Sequence, residues 1–411
     1  MFSEITNSIL EPAENDFTIV TENVEPPLNL ALHPVDGDQK RVGVWAPASV
    51  SLAWINQYLL KDVGLVPYMF HKVFGYDVTM LGCKRGEYPY LDMLSGLRME
   101  FLQDCSDEKT HLILNIEYLR EHHKDMDVLV LYGAYFTYFN EYLRVYRELR
   151  PDGKVYLALD ANSLWVDSMP WTSSEFMSFL DSCDVIATSC RKTWRLLNRK
   201  WNRWTINYIP NGFYNTTNKD ISVTYNEKEN IILTVGRIGI KEKANHILLE
   251  AFALVHNEIP EWRVHLVGEI DDSFVLYIEK YFQKYPELSE KVIFKGLIED
   301  KAQLFSEYAC AKLFVLTSIS EGMPNVISEA LFHGCYQITS NIDAAEDITN
   351  NGQIGRIFPI NCVSALAEIL LEVCSSDDAI REAFPHILEY ANNCFSLDLI
   401  IKRIHHMLFQ K

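Results

Sequence analysis

Short apolar runs alternate with amphipathic stretches along this chain, and the whole alternation occurs twice. Runs such as 128–132 and 231–235 are apolar at nearly every position, which is typical of parallel strands that are covered on both faces. Stretches at 139–149 and 244–256 have helical spacing and separate such runs. Strands that alternate with helices build a doubly wound sheet. The sequence therefore predicts an α/β fold with two Rossmann-like domains that face each other across a cleft.

The polar segment 214–230, rich in Asn, Thr, Lys and Glu, interrupts the alternation and predicts a domain boundary. We expect a first domain at 1–215, a second at 216–395, and a C-terminal helix at 396–411 that packs back on the first domain. Residues 1–39 could form either an edge hairpin or a flexible lead-in, and their sequence does not decide between the two. A helix is predicted at 50–60 and another at 363–374. Further strands are predicted at 41–46, 76–81, 155–159, 185–188, 263–267, 292–294, 313–316 and 336–339.

Composition excludes several classes of function. The formal net charge of −19 argues against non-specific binding to nucleic acid, which needs a basic surface. No run reaches the roughly 18 apolar residues that a membrane span requires. Lys40 is the first basic residue, so the start of the chain does not resemble a secretory signal, and the nine cysteines form no C-x-x-C pair. We therefore expect a cytoplasmic protein.

The basic aromatic cluster at 191–204 could contact a membrane surface. Its cations could dock on anionic lipid, which would place the protein peripherally at the inner face of the membrane. Trp194, Leu197 and Trp201 share one helical stripe that suits burial. This stripe favours the other interpretation, an ordinary helix with its cations on the solvated face.

The segment Glu321-Gly-Met-Pro-Asn-Val-Ile-Ser-Glu329 follows a predicted strand and opens a predicted helix. Pro324 suits the start of that helix, because the first N–H groups of a helix have no internal partner. Free N–H groups and the positive end of the helix dipole favour a phosphate. Glu321 and Glu329 flank this place and can accept hydrogen bonds from hydroxyl groups. A phosphate beside hydroxyl groups describes a nucleotide sugar, and a chance pair of solvated acids is the alternative.

A second motif, Gly236-Arg-Ile-Gly-Ile-Lys-Glu-Lys243, also lies between a predicted strand and a predicted helix. Gly236 allows a sharp turn or the close approach of a ligand. Arg237 and Lys243, with Lys241 as an alternative to Lys243, place cations at the helix entry. Cations in this position suit a diphosphate that leaves with growing negative charge. An ordinary surface loop is the alternative.

Together the two motifs are more specific than either is alone. Gly236-Arg237…Lys243 followed by Glu321-Gly322…Glu329 resembles the retaining family-four glycosyltransferases, the glycosyl transferases group 1, which have the GT-B fold. The resemblance covers most of 180–400 and is supported by Pro210-Asn211-Gly212. The first 150 residues resemble this family only in general shape.

The resemblance implies a role for each motif residue. Arg237 and Lys243 would hold the donor diphosphate. Glu329 would accept hydrogen bonds from the ribose hydroxyls, and Glu321 would contact the donor sugar. No metal and no cofactor would be needed, because the helix dipole and the cations stabilise the leaving group. The remaining donor-binding positions would be Gly236, Ile298, Gly322, Met323, Pro324 and Asn325.

The acceptor side is expected at the strand ends of the first domain. Family members commonly carry a His after the strand that corresponds to 155–159, where this chain has Asp160. A carboxylate there can accept a sugar hydroxyl or help to deprotonate the acceptor, and capping the next turn is an equal alternative. Tyr135 and Trp165 are the aromatic candidates for stacking on an acceptor sugar, with ordinary packing as the alternative.

The resemblance therefore implies a retaining glycosyltransferase that uses a nucleotide sugar, with UDP favoured because it is common in the family. The acceptor is expected to be a saccharide, a glycolipid (lipid-linked sugar) or a glycoprotein. Arg237, Lys243, Glu321 and Asp160 are the predicted catalytic residues. Two alternatives stay open. One is a nucleotide-sugar epimerase or a sugar phosphorylase of the same fold, and the other is a non-catalytic partner subunit.

Overall fold

A computed structural model describes residues 42–48, 53–103, 107–133, 136–159, 161–217 and 220–409. Two parallel sheets dominate the described residues, one of seven strands in the order β3-β2-β1-β4-β5-β6-β7 and one of six in the order β10-β9-β8-β11-β12-β13. The first sheet contains β1 (Gly43–Pro47), β2 (Asp77–Cys83), β3 (Leu97–Leu102), β4 (Val128–Tyr132), β5 (Lys154–Leu159), β6 (Val185–Thr188) and β7 (Ile206–Tyr208). The second contains β8 (Glu229–Val235), β9 (Arg263–Val267), β10 (Val292–Gly296), β11 (Ala311–Leu316), β12 (Tyr336–Ser340) and β13 (Gly355–Phe358).

Helices connect the strands of each sheet. Those that accompany the first sheet are α1 (Asn56–Leu59), α2 (Asp62–Phe74), α3 (Glu108–His122), α4 (Phe136–Leu149), α5 (Ser163–Ser168), α6 (Ser174–Asp181) and α7 (Arg191–Lys200). Those that follow are α8 (His246–Val255), α9 (Asp272–Lys284), α10 (Lys301–Cys310), α11 (Asn325–Phe332), α12 (Ala345–Ile348), α13 (Val363–Ser375), α14 (Asp378–Tyr390) and α15 (Leu397–Phe409). None of the helices in these described ranges is long and apolar enough to cross a bilayer.

The order of each sheet reverses at one point, between β1 and β4 in the first sheet and between β8 and β11 in the second. Loops that leave adjacent strands in opposite directions open a crevice at the carboxyl edge of a doubly wound sheet, where ligands bind. The two motif loops, 236–243 and 317–324, follow β8 and β11. The topology therefore brings both motifs to the reversal point of the second sheet.

Helix α15 packs into the core of the first sheet. Ile400, Ile404 and Leu408 are buried in a cluster that includes Val130 and Tyr156. A short parallel bridge between Phe213 and Ser396 joins the entry of α15 to the segment that follows β7. The last helix therefore closes the first core, while the chain before it belongs to the second sheet.

Helix α7 lies between the two halves, and acids of the second half hold its cations. Lys192 Nζ is 2.8 Å from Asp343 Oδ1, and Arg195 Nη1 donates to Glu346 Oε1 at 2.9 Å. Leu197 and Trp201 are buried, as the helical stripe predicted, and Trp194 is half-buried. The cations at the start of the basic cluster thus have carboxylate partners within the protein, and a lipid surface is not needed to explain them.

Asp347 is the most buried acid of this interface. It accepts hydrogen bonds from the Arg191 N–H at 3.0 Å and from the Tyr208 hydroxyl at 2.7 Å, while Arg191 Nε lies 3.6 Å away. Burial raises the pKa of Asp347 to about 6, and the Arg191 charge and the Tyr208 hydrogen bond oppose that rise. The carboxylate therefore stays ionised near neutral pH at a cost in free energy.

The predicted helix at 50–60 is wrong over much of its described part. Ala53 forms a parallel bridge with Cys83, and α1 contains only Asn56–Leu59. Trp54 is buried, and its Nε1 donates to Leu81 O at 3.0 Å. This contact keeps the chain extended along the sheet after β1.

Candidate functional site

The first motif loop begins at Gly236, directly after β8. Its N–H donates to Val267 O at 2.9 Å. The neighbouring loop comes so close that a Cβ on Gly268 would lie 1.7 Å from Gly236 O. Gly236 has a φ of 152° and Gly268 a φ of 143°. The two glycines therefore allow the loops after β8 and β9 to pack backbone against backbone.

Lys243 ends a single 3₁₀ turn, Lys241–Lys243, and Ala244 follows it with a left-handed φ of 45°. The Lys243 carbonyl accepts a hydrogen bond from Thr317 Oγ1 at 2.7 Å. The Ile319 N–H donates to Glu242 O at 2.9 Å. These two bonds join the loop after β8 to the loop after β11, so the two motifs form one site.

Lys243 and Glu321 form an ion pair between the two loops, with Glu321 Oε1 as the acceptor. Their side chains are only 18% and 20% exposed. Ser318 Oγ donates to the same carboxylate oxygen at 2.9 Å. Lys241 and Arg237 are both exposed, and Arg237 makes no ion pair within the described ranges. Of the two candidate lysines, it is therefore Lys243 that the fold brings to Glu321.

The segment between the two acids faces the first half of the chain. Met323 is buried, and its carbonyl accepts from Asn211 Nδ2 at 2.7 Å. Asn325 Nδ2 donates to Asp62 Oδ1 at 3.2 Å. A Cβ on Gly322 would lie 3.6 Å from Ala161 O. Residues 322–325 therefore lie in the crevice between the two sheets, and Pro324 directly precedes α11.

Glu329 lies about one turn into α11, where two donors fix its carboxylate. Lys301 Nζ donates to Oε1 at 2.9 Å, and the Tyr308 hydroxyl donates to Oε2 at 2.8 Å. Tyr308 is fully buried, and burial together with the nearby Glu329 charge raises its pKa. The hydroxyl therefore keeps its proton, and Glu329 has a fixed orientation toward an open cleft of about 330 Å³ lined by Asp62, Gly212, Tyr214, Lys301 and Asn325.

Comparison with known proteins supports a family assignment for the second half of the chain. Residues 229–376 match the family described as glycosyl transferases group 1. Residues 229–376 are therefore similar to a group 1 glycosyl transferase domain. The matched residues contain β8 to β13 and both motif loops, so the resemblance noted from the two motifs is confirmed for this part of the chain.

Two curated relatives share part of their sequence with the chain. The sulfoquinovosyl transferase SQD2 of Arabidopsis thaliana is 26% identical over 174 residues, which cover 42% of this chain and 31% of the relative. The capsular polysaccharide biosynthesis glycosyltransferase CapM of Staphylococcus aureus is 25% identical over 199 residues, which cover 46% of this chain and 49% of the relative. The chain thus spans less than half the length of each of these relatives.

The overall fold has a counterpart among solved structures. The structure of HepE from Anabaena in complex with UDP is 16% identical, with a TM-score of 0.65 over 89% of this chain and 98% of that chain. This similarity extends over both sheets and confirms the predicted GT-B fold.

Other predicted site residues lie away from the group 1 motif loops or outside the described residues. Ile298 is half-buried and packs against the core of the second sheet. Trp165 lies on α5 with 38% of its surface exposed, and the Ser163 Oγ of the same helix donates to Asp343 Oδ1 at 3.0 Å. Asp160 and Tyr135 lie outside the described residues, so the roles suggested for them stay predictions.

Sequence reasoning missed three residues that hold the motif acids. Ser318, Lys301 and Tyr308 donate to Glu321 or Glu329. Ser318 lies two residues after β11 and three residues before Glu321, and this short separation was a usable signal. Lys301 and Tyr308 are 28 and 21 residues from Glu329, and no spacing rule links separations of that size to a contact.

Proposed function

We propose that this protein is a retaining glycosyltransferase that moves a sugar from a nucleotide sugar to a saccharide acceptor. One observation carries the proposal: the Arg237–Lys243 loop and the Glu321–Glu329 segment meet at the reversal point of the second sheet, joined by the Thr317–Lys243 and Ile319–Glu242 hydrogen bonds. The group 1 family match supports the reaction class. UDP is the favoured nucleotide because HepE, which shares the fold, was solved with UDP.

In the proposed reaction the donor diphosphate lies between Arg237, Lys243 and the N-terminal end of α11. The bond between the anomeric carbon and the diphosphate oxygen breaks, and a bond to the acceptor oxygen forms on the same face of the sugar. The acceptor proton passes to the departing diphosphate oxygen. Arg237 and Lys243 stabilise the charge that grows on the leaving group, and we propose that no metal ion is required.

Glu329 serves the nucleoside end of the donor in this proposal. Lys301 and Tyr308 each donate one hydrogen bond to its carboxylate. A carboxylate has about four acceptor positions, so Glu329 can still accept from the two ribose hydroxyls. Lys301 and Tyr308 are positioning residues, because they orient Glu329 before the nucleotide arrives.

The acceptor side belongs to the first sheet in this proposal. Trp165, with its exposed ring, is the aromatic residue we assign to the acceptor sugar, because an apolar ring face packs well on a sugar ring. CapM takes its name from capsular polysaccharide biosynthesis. That name favours a growing polysaccharide or a lipid-linked saccharide as the acceptor class.

A thermal-shift panel of UDP-, GDP- and ADP-sugars tests the donor. A ligand that binds only the folded state raises the free energy of unfolding by about 2.7 kcal/mol at one hundred times its dissociation constant. We expect one nucleotide sugar to raise the Tm of the wild type. Arg237→Ala and Glu329→Gln should each need at least a tenfold higher concentration of that nucleotide sugar for the same rise in Tm. Arg263→Ala is the matched control, because Arg263 is a partly exposed arginine of the same domain at the amino end of β9, where it pairs with Glu229.

Transfer is then measured with the selected donor and a panel of saccharide acceptors. Product that keeps the anomeric configuration of the donor supports the proposal. An epimerised nucleotide sugar in the absence of acceptor, or sugar phosphate released only with inorganic phosphate, would instead identify an epimerase or a phosphorylase. If no nucleotide sugar of the panel raises the Tm, the non-catalytic partner subunit is favoured over a transferase.

A further inference from the structure

The two acids of the site have different partners in the empty protein. Glu329 is held by Lys301 and Tyr308, which lie behind it on α10. Glu321 is held by Lys243, which the proposed function assigns to the donor diphosphate. The same ammonium group therefore has two candidate partners, one inside the protein and one on the substrate.

The burial and the position of Lys243 and Glu321 explain why the two partners compete for the ammonium group. Lys243 and Glu321 are both about four-fifths buried, so each loses much of its hydration and needs an opposite charge or hydrogen-bond donors. A Cβ on Gly236 would lie 3.7 Å from Lys243 Cε, so the lysine side chain passes over Gly236, the first residue of the motif loop 236–243. The end of the Lys243 side chain is therefore close both to Glu321 and to the space above Gly236.

Resting on the proposed function, we propose that the Lys243–Glu321 ion pair discriminates between the nucleotide-sugar donor and the nucleoside-diphosphate product. When the donor binds, Lys243 moves to the diphosphate and Glu321 accepts hydrogen bonds from the sugar hydroxyls. Both charges are then satisfied. When only the diphosphate product is bound, Lys243 is engaged but Glu321 has lost both its cation and the sugar hydroxyls.

The consequence is a penalty that applies to the product and not to the donor. A carboxylate that is about four-fifths buried and keeps only the Ser318 hydroxyl as a donor is unfavourable, and re-forming the ion pair relieves it. The ion pair therefore competes with the product diphosphate for Lys243. It favours release of the product after the sugar has been transferred.

Glu321→Gln tests this exchange by removing the competitor of the diphosphate. We expect the dissociation constant of UDP, measured by isothermal titration, to fall about three- to tenfold, the range expected for a partly buried ion pair. The dissociation constant of the UDP-sugar should rise, because the amide has lost the strong acceptor for the sugar hydroxyls. Unchanged or weaker UDP binding by Glu321→Gln would overturn the proposal.

Plain charge repulsion between Glu321 and the diphosphate predicts a similar gain, so a double-mutant cycle separates the two explanations. Exchange predicts that Glu321→Gln no longer tightens UDP binding when Lys243 is already Ala, because there is no ammonium to release. Repulsion predicts that the gain persists in the Lys243→Ala background, and that result overturns the proposal. If Glu321→Gln does not fold, Glu321→Asp repeats the cycle, because the shorter side chain withdraws the carboxylate from Lys243.

Glu307→Gln is the control for a general change of charge. Glu307 is 17% exposed, close to the value of Glu321, and pairs with Lys295 on the same domain. We expect its UDP affinity to match that of the wild type. If the wild type binds none of UDP, GDP and ADP, the proposed function itself fails and this inference fails with it. If the wild type binds UDP but the cycle shows no coupling, only the exchange is wrong.

Discussion

Replacing Gly322 with alanine tests whether the fold or the bound ligand requires a glycine at this position. Among the glycines that the structure describes, Gly322 is the one that has neither a left-handed φ nor an atom too close for a Cβ. The nearest atoms to an added Cβ would be Ala161 O at 3.6 Å and Ser189 Oγ at 3.9 Å, which are ordinary contacts. The empty protein therefore gives no structural reason for a glycine here.

The expected effect on stability follows from the unfolded chain. Alanine at a compatible glycine position stabilises a protein by about 0.4–1 kcal/mol, because it reduces the freedom of the unfolded state. We therefore expect the Tm of Gly322→Ala to equal or slightly exceed that of the wild type. The new methyl group, however, points into the crevice that we assign to the donor sugar.

The expected effect on activity is large. A displacement of about 1 Å at a reacting centre lowers the rate about 100-fold, equivalent to about 2.7 kcal/mol in the free energy of activation. We expect Gly322→Ala to lower kcat/KM for the donor by that factor, measured in the transfer assay beside a thermal melt. Wild-type kcat/KM in a folded Gly322→Ala protein would refute the placement of the donor sugar.

Gly75→Ala is the control, because we expect it to lower stability and to leave activity unchanged. Gly75 ends α2 with a φ of 70°, and an added Cβ would meet nothing within 4 Å. A left-handed alanine is less stable by about 1 kcal/mol, so the Tm should fall. The site lies at the amino end of β2, away from the crevice, and kcat/KM should be unchanged.

Three further predictions concern the site and the interface. Tyr308→Phe removes one donor to Glu329 and should weaken nucleotide binding about tenfold by titration, since a hydrogen bond to a charged group contributes about 1.5–3 kcal/mol; unaltered affinity would show that Tyr308 does not orient Glu329. The pKa of Asp347 rises from its ordinary 3.8 to about 6 on folding, so the folded state binds the proton more tightly than the unfolded state. The contribution of Asp347 to stability should therefore increase as pH falls from 8 to 5 and be lost as pH rises through 6. In melts across this range, the Tm difference between wild type and Asp347→Asn should shift in favour of the wild type at low pH, and a constant difference would contradict this. Transfer should survive dialysis against EDTA, and a loss restored by Mg²⁺ or Mn²⁺ would show that the cations of the protein are not sufficient.

Buried, continuously apolar strands were predictable, and edge elements were not. The runs at 128–132 and 263–267 match β4 and β9 to the residue. Strand β3 was missed because it is an edge strand in which only Leu97 is fully buried, and β7 was missed because it has only three residues. Local sequence carries little signal for a strand that one neighbour alone stabilises.

Helix α2 shows tertiary packing that prevails over local preference. Gly64 and Pro67 both disfavour a helix, yet the residues from Gly64 to Phe70 are buried in the middle of one. They pack against the first sheet in the core that also contains Ile400 and Ile404 of α15. Part of the burial that stabilises α2 comes from α15, more than 300 positions away, so the local sequence could not predict it.

The motif residues of the site were predictable, but their pairing was not. The order of strand, loop and helix indicated Arg237, Glu321 and Glu329 as ligand-facing candidates. The choice of Lys243 over Lys241 depends on Thr317 and Ile319, which hold the first loop against the second. Because those contacts join residues more than 70 positions apart, they became visible only in the folded chain.

A crystal structure of the protein with UDP bound tests the central claim most directly. The account predicts that the diphosphate oxygens lie within hydrogen-bond distance of Arg237 and Lys243 and that the ribose hydroxyls donate to Glu329. A nucleotide bound anywhere other than the crevice after β8 and β11, or one bound there without contact to these three side chains, would contradict it.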